Sequence, residues 1–245
     1  MSANLKDPLP VILLIGPSGS GKSSFVKVLT TEAVQIESED KPCTNDCRTY
    51  KVEPRFNGYI KPFLLIDTPG FVEPADENLK ILRKIAKTLS RLDRDVVYGA
   101  IYFHNISEMR LKGTTAAILD IFKAICGEKF YPHVAFVTTM WDTVNPAYHQ
   151  RLEIANGELE KGAMRLDGAP EMTFKRRRDD DYCSKEVLEH FAILRKKRYP
   201  PPQLQLMKEL QGRDVGNIGH IRTTSAGCLI PQDRRTSASG CCTIM

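Results

Sequence analysis

Eight residues early in the chain, Gly16-Pro17-Ser18-Gly19-Ser20-Gly21-Lys22-Ser23, have a spacing suited to holding phosphate. The glycines let the backbone curl so that successive N–H groups converge on anionic oxygens. A helix starting just after such a loop adds the positive end of its dipole. Lys22 can then reach the outer phosphates of a nucleotide, and the Ser23 hydroxyl can ligate Mg²⁺. Gly16, Ser18, Gly19, Ser20, Gly21, Lys22, Ser23 and Ser24 are the expected nucleotide contacts, with Lys22 also stabilising charge on a transferring phosphoryl group. The chain is expected to bind a nucleoside phosphate.

Such a loop needs a strand to deliver it and a helix to receive it. The apolar run Val11–Ile15 precedes it, and Phe25–Leu29 follows. A second apolar run, Phe63–Ile66, ends in Asp67-Thr68-Pro69-Gly70. Ligands sit at the carboxyl ends of strands in parallel α/β sheets. Asp67 is therefore placed to hold Mg²⁺ through a water, and the Gly70 N–H to sense a γ-phosphate. A third run, Val134–Thr138, ends in Thr139-Met140-Trp141-Asp142, again a polar turn with a carboxylate. Trp141 is expected to pack beside a base pocket.

These three segments resemble the P-loop GTPases, the class that includes Ras-like proteins, septins and the immunity-associated GTPases. The likeness is strongest to a group of fungal G-domain proteins sharing the Thr-Thr-Met-Trp-Asp variant, and it covers roughly residues 10–215. It implies GTP and GDP as ligands, with Mg²⁺. In the family, Asp142 would accept hydrogen bonds from guanine N1–H and the N2 amino group, a donor pair that adenine lacks. Met140 stands where the family has Lys; its thioether can cover the same face of the base without the charge. The resemblance also implies a threonine on the first switch loop that ligates Mg²⁺. Thr44 is the choice, because Thr49 belongs to the following strand. A Ser-Ala-Gly at 225–227 is rejected as the fifth, base-contacting motif, and a backbone contact near Met172-Thr173-Phe174 is expected instead.

Hydrolysis is expected to be slow. Ras-like proteins orient the attacking water with a Gln directly after Asp-x-x-Gly; this chain has Phe71 there. Lys22, Thr44 and Gly70 remain as the catalytic candidates. Arg48 and Arg55 near the first switch could act as an arginine finger, but read more simply as solvated strand-edge charges.

At 245 residues the chain suits one α/β domain, a mostly parallel, doubly wound sheet with helices on both faces. Strands are expected at Arg48–Glu53 and Tyr59–Ile66, joined at Asn57-Gly58, and at Val96–Phe103. Leu79, Leu82, Ile85, Leu89 and Leu92 recur at helical spacing. Further helices are expected over Leu111–Cys126, Pro146–Lys161, Ser184–Lys197 and Gln203–Gln211. The formal charge of +5 is mild, which argues against a nucleic-acid surface and allows acidic protein or membrane partners. Lys175-Arg176-Arg177-Arg178 precedes Asp179-Asp180-Asp181 and reads as a self-compensating loop. Val11–Ile15 is too short for a signal-peptide core.

The chain ends Cys241-Cys242-Thr243-Ile244-Met245, a C-a-a-X prenylation box on Cys242, with Met favouring farnesyl. One lipid binds a membrane only marginally, so palmitoylation of Cys241 is the expected second signal. Residues 1–215 are expected to form the G domain and 216–245 a flexible Ser/Thr/Gly-rich tether spanning roughly 30 Å. The sequence thus reads as a cytoplasmic, membrane-peripheral guanine-nucleotide switch acting on protein effectors. Self-association on a membrane with structural GTP is the alternative, and an ATP-using kinase is a more distant one.

Overall fold

The computed structural model describes residues 9–30, 34–35, 46–56, 59–60, 62–72, 75–92, 96–107, 114–161, 166, 173–176, 181–196 and 201–231. In chain order the first half contains β1 (Pro10–Ile15), α1 (Lys22–Leu29), β2 (Val34–Gln35), β3 (Arg48–Val52), β4 (Arg55–Phe56), β5 (Tyr59–Ile60), β6 (Phe63–Asp67) and α2 (Ala75–Leu89). The second half adds β7 (Val96–Asn105), α3 (Thr114–Cys126), β8 (Val134–Thr139), α4 (His149–Lys161), β9 (Thr173–Lys175), α5 (Asp181–Lys196), α6 (Gln205–Leu210), α7 (Ile218–Arg222) and α8 (Ser225–Cys228).

Among the described residues, seven strands form one sheet in the order β2-β3-β6-β1-β7-β8-β9. From β6 to β9 all neighbours are parallel, while β3 runs antiparallel to β6 and β2 to β3. The expected α/β fold is therefore present, with an antiparallel edge. β4 and β5 pair separately, so the expected hairpin is there, but its second strand breaks before β6.

Strand alternation sends the apolar residues of β1 to two cores. Val11, Leu13 and Ile15 pack with Leu79, Leu82, Ile85 and Leu89 of α2 and with α3. Ile12 and Leu14 pack with Phe25 of α1 and with Val187, Leu188 and Phe191 of α5. Buried on both faces, β1 is a nearly continuous apolar run, as a central parallel strand must be.

The tether does not begin at Gly216. Ile221, Ala226 and Ile230 are buried in the same core as α2 and α3, beside Leu204, Leu206 and Leu210. The polar residues read as linker are largely caps. The Asn217 side chain accepts from the Gly219 N–H at the start of α7, and Thr224 from the Gly227 N–H at the start of α8. The Glu209 carboxylate accepts from the Ser225 N–H (2.8 Å) and hydroxyl (2.5 Å), tying α6 to α8. Helices this short are not stable alone; burying an Ile or Leu side chain contributes about 1.5–3 kcal/mol, which holds them to the domain.

Candidate nucleotide site

The carboxyl ends of β1, β6 and β8 converge on an open groove of about 530 Å³. Its lining includes Ser18, Gly19, Gly21, Lys22, Ser23 and Ser24 from the loop, Thr68 to Gly70 after β6, and Met140 after β8. Three segments that are far apart in sequence thus share one site. Gly19 and Gly21 have φ of 74° and 89°, left-handed values that favour glycine.

The Ser23 hydroxyl donates to Asp67 Oδ2 at 2.6 Å, 44 residues away. Two hard oxygens, from the start of α1 and the end of β6, are thereby held together, a donor set that fits Mg²⁺ sharing its remaining positions with phosphate and water. Lys22 is 5% exposed and donates to the carbonyls of Gly16 (3.1 Å) and Pro17 (2.8 Å). Burial pushes its ammonium down to about 8, against the opposing pull of Asp67.

That lowered value has a direct consequence for binding. If Lys22 meets phosphate as an ammonium, the free protein takes up a proton there on binding above about pH 8. Affinity for a nucleoside triphosphate should fall roughly tenfold per pH unit above about 8. Titration with a fluorescent nucleotide between pH 7 and pH 9 checks this; a flat profile would remove Lys22 from the phosphate contact.

The segment after β6 lies directly on the loop. Phe71 N–H donates to Gly16 O (3.2 Å), and Ser18 N–H donates to Phe71 O (2.9 Å). A Cβ on Gly70 would stand 2.3 Å from Ser18 Cα, so no larger residue fits without moving the loop. The Phe71 side chain is 1% exposed, in the core. Thr68 Oγ1 donates to Leu14 O at 2.6 Å, binding the ends of β6 and β1 together.

On the base side, Thr139 Oγ1 donates to Ser20 O (2.9 Å) and lies 3.3 Å from His104 O. The turn carrying Met140 and Asp142 is thus built onto the phosphate loop. Met140 has a φ of 66° and closes the turn, accepting from the Thr143 N–H and hydroxyl. Asp142 is exposed. Trp141 is buried with Ile106 and Leu152, its Nε1 donating to Thr138 Oγ1 at 3.0 Å, which places α4 beside the turn.

Thr44, Cys241 and Cys242 lie outside the described residues, as does Met172. Arg48 stands opposite Asp67 in the β3–β6 register, while Arg55 belongs to the separate β4–β5 hairpin. Ser225-Ala226-Gly227 forms α8.

The reading of 175–178 as a self-compensating loop does not hold at Arg176. This residue is 2% exposed, donating to Ser24 O (3.0 Å) and Ser184 Oγ (3.1 Å), with its guanidinium 5.9 Å from the centre of the Phe25 ring. It fastens the first turn of α1 to β9 and α5. Three further polar residues escaped the sequence reading: Glu77 and Lys84, which line the groove, and Asn78, which is 4% exposed and accepts the Val72 N–H at 2.9 Å.

Residues 11–125 match the family profile described as 50S ribosome-binding GTPase. The fold is that of a P-loop GTPase G domain. Among solved structures, Toc33 from Arabidopsis thaliana in complex with GDP and Mg²⁺ superposes with a TM-score of 0.57 at 14% identity, over 80% of this chain and 87% of that one. Era from Aquifex aeolicus bound to GDP·AlF₄⁻ gives 0.54 at 16% identity, over 80% and 58%. A bacterial selenocysteine-specific elongation factor gives 0.52 at 16%, over 78% of this chain but 29% of its own length. The profile match to the GTPase family ends before β8, so the turn with Thr139 and Asp142 stands on its geometry alone.

Proposed function

We propose that this chain binds guanine nucleotides with Mg²⁺ and hydrolyses GTP slowly, as a switch tethered to a membrane. The observation that carries the reading is the 2.6 Å Ser23–Asp67 hydrogen bond beside Lys22. Mg²⁺ held by Ser23, with Asp67 behind it, would supply charge neutralisation to the phosphates. Lys22 holds the outer phosphates, the loop N–H groups cradle them, and Asp142 reads guanine. Thr44 completes the metal ligands in this reading, and Gly70 senses the γ-phosphate. Slow hydrolysis follows from Phe71, whose buried ring cannot orient water.

Membrane attachment rests on Cys242 and Cys241. Ten residues, 232–241, separate Pro231, where the described structure ends, from Cys242, and even fully extended they reach no more than roughly 40 Å. The domain would sit close to the lipid surface. The mild charge favours protein or lipid partners over nucleic acid. Self-association, as in septins and immunity-associated GTPases, draws its support from Tyr148 and Ile154, which are 50% and 61% exposed beside the base turn. Light scattering of GTP- and GDP-loaded protein on liposomes tests that second reading.

The deciding experiment is competition on nucleotide-free protein with Mg²⁺, using labelled GTP against excess GTP, ATP or xanthosine triphosphate. GTP alone should displace the label. Equal displacement by ATP would overturn the guanine reading and bring an ATP-using enzyme forward.

A further inference from the structure

With Phe71 in the core and its backbone committed to Gly16 and Ser18, the position that usually orients the attacking water is out of use. The Thr68 hydroxyl is committed to Leu14 O. In the GTP-hydrolysing reading, a polar side chain elsewhere in the groove takes that role.

α2 supplies it. Glu77, Ile81 and Lys84 line the groove, and their i, i+4, i+7 spacing puts them on one helical stripe. On the opposite face Leu79, Leu82 and Ile85 are buried in the core. Asn78 fixes this orientation by accepting the Val72 N–H, which sets the first turn of α2 beside Val72. Lys84 pairs with Asp46 at 3.2 Å, holding the stripe against the start of β3. Glu77 accepts from Lys80 at 2.6 Å, and both side chains are about half exposed. Such a pair is worth at most about 1 kcal/mol and is easily exchanged for another partner.

We propose that Glu77 is a catalytic residue: its carboxylate orients the water that attacks the γ-phosphorus and takes up its proton. The water oxygen bonds to phosphorus as the bond from phosphorus to the β–γ bridging oxygen breaks. The electron pair of that bond stays with GDP, and the proton passes from Glu77 to the released phosphate. This rests on the GTP-hydrolysing reading above and names the residue behind whatever rate the chain has.

The test compares full-length wild type, Glu77→Gln, Glu77→Asp and Lys80→Ala in single-turnover GTP hydrolysis with Mg²⁺. GTP and GDP affinities and formation of the GDP–aluminium fluoride complex are measured on the same proteins. Glu77→Gln should slow hydrolysis on the order of 10²-fold, with affinities within about twofold and the aluminium fluoride complex weakened in parallel. Glu77→Asp should recover part of the rate, and Lys80→Ala should match wild type. A Glu77→Gln rate within threefold of wild type overturns the proposal, as does a loss of affinity that accounts for the loss of rate. A wild type that binds GTP but never hydrolyses it sinks the hydrolysis reading and this one together, an outcome separate from an unaffected variant.

Discussion

Replacing Asp142 by asparagine should weaken GTP binding by two orders of magnitude or more and turn the preference toward xanthosine triphosphate. The carboxylate offers two acceptors to the N1–H and N2 amino donors of guanine, whereas an amide offers one acceptor and one donor. Charge-assisted hydrogen bonds contribute about 1.5–3 kcal/mol each; losing one, uncharging the other and setting the amide N–H against the guanine amino donor corresponds to roughly 10²–10⁴ in affinity. Xanthine has a carbonyl where guanine has the amino group, which suits the amide N–H. The substitution should leave the fold intact, because Asp142 is exposed and the turn is held by Thr139 on Ser20 O and by Thr143 on Met140 O. Competition with GTP, xanthosine triphosphate and ATP reads the change directly. Unaltered GTP affinity would mean that the base is recognised elsewhere.

What the sequence made legible were the parts whose chemistry is local. Gly16 to Ser23 lie within one turn of chain, and Asp67 sits at the end of an apolar run, so type and spacing were enough. Thr139 was readable as part of a motif, but its role as the tie to Ser20 O needed the fold. Arg176 was misread for the opposite reason. Three aspartates follow closely in sequence, and nothing local shows that the chain folds its guanidinium beneath α1 onto Ser24 O. Residues 216–231 were misread because Ser, Thr, Asn and Gly serve linkers and helix caps equally well. Their few apolar residues, Ile221, Ala226 and Ile230, are too sparse to show periodicity, yet they are enough to dock on α2 and α3. Glu77 was hidden among the surface charges of α2. It acquires meaning once Asn78 is seen to pin the preceding loop and Phe71 is seen to be buried.

Lys22→Met should show opposite effects on function and on stability. Methionine keeps the length and apolar stem but removes the ammonium that the proposed function sets against the outer phosphates. Triphosphate affinity should fall on the order of 10²-fold or more, the loss of two charge-assisted hydrogen bonds. The folded protein without nucleotide should be no less stable. Burial dominates the environment of Lys22 and lowers its pKa to about 8, so the charged form is disfavoured in the fold relative to the unfolded chain. At pH 7 that penalty is on the order of 3 kcal/mol. It disappears as pH rises from about 8 past the unfolded value, so wild-type stability should climb over that window while the variant's stays flat. The hydrogen bonds from Lys22 to Gly16 O and Pro17 O offset part of this gain, so a Tm equal to or slightly above wild type is expected at pH 7. At the same concentration, added GTP with Mg²⁺ should raise the wild-type Tm more than the variant's, since a ligand stabilises the native state in proportion to how tightly it binds. A variant with a clearly lower Tm and intact affinity would reverse the assignment, making Lys22 a structural pin of the loop and not its phosphate contact.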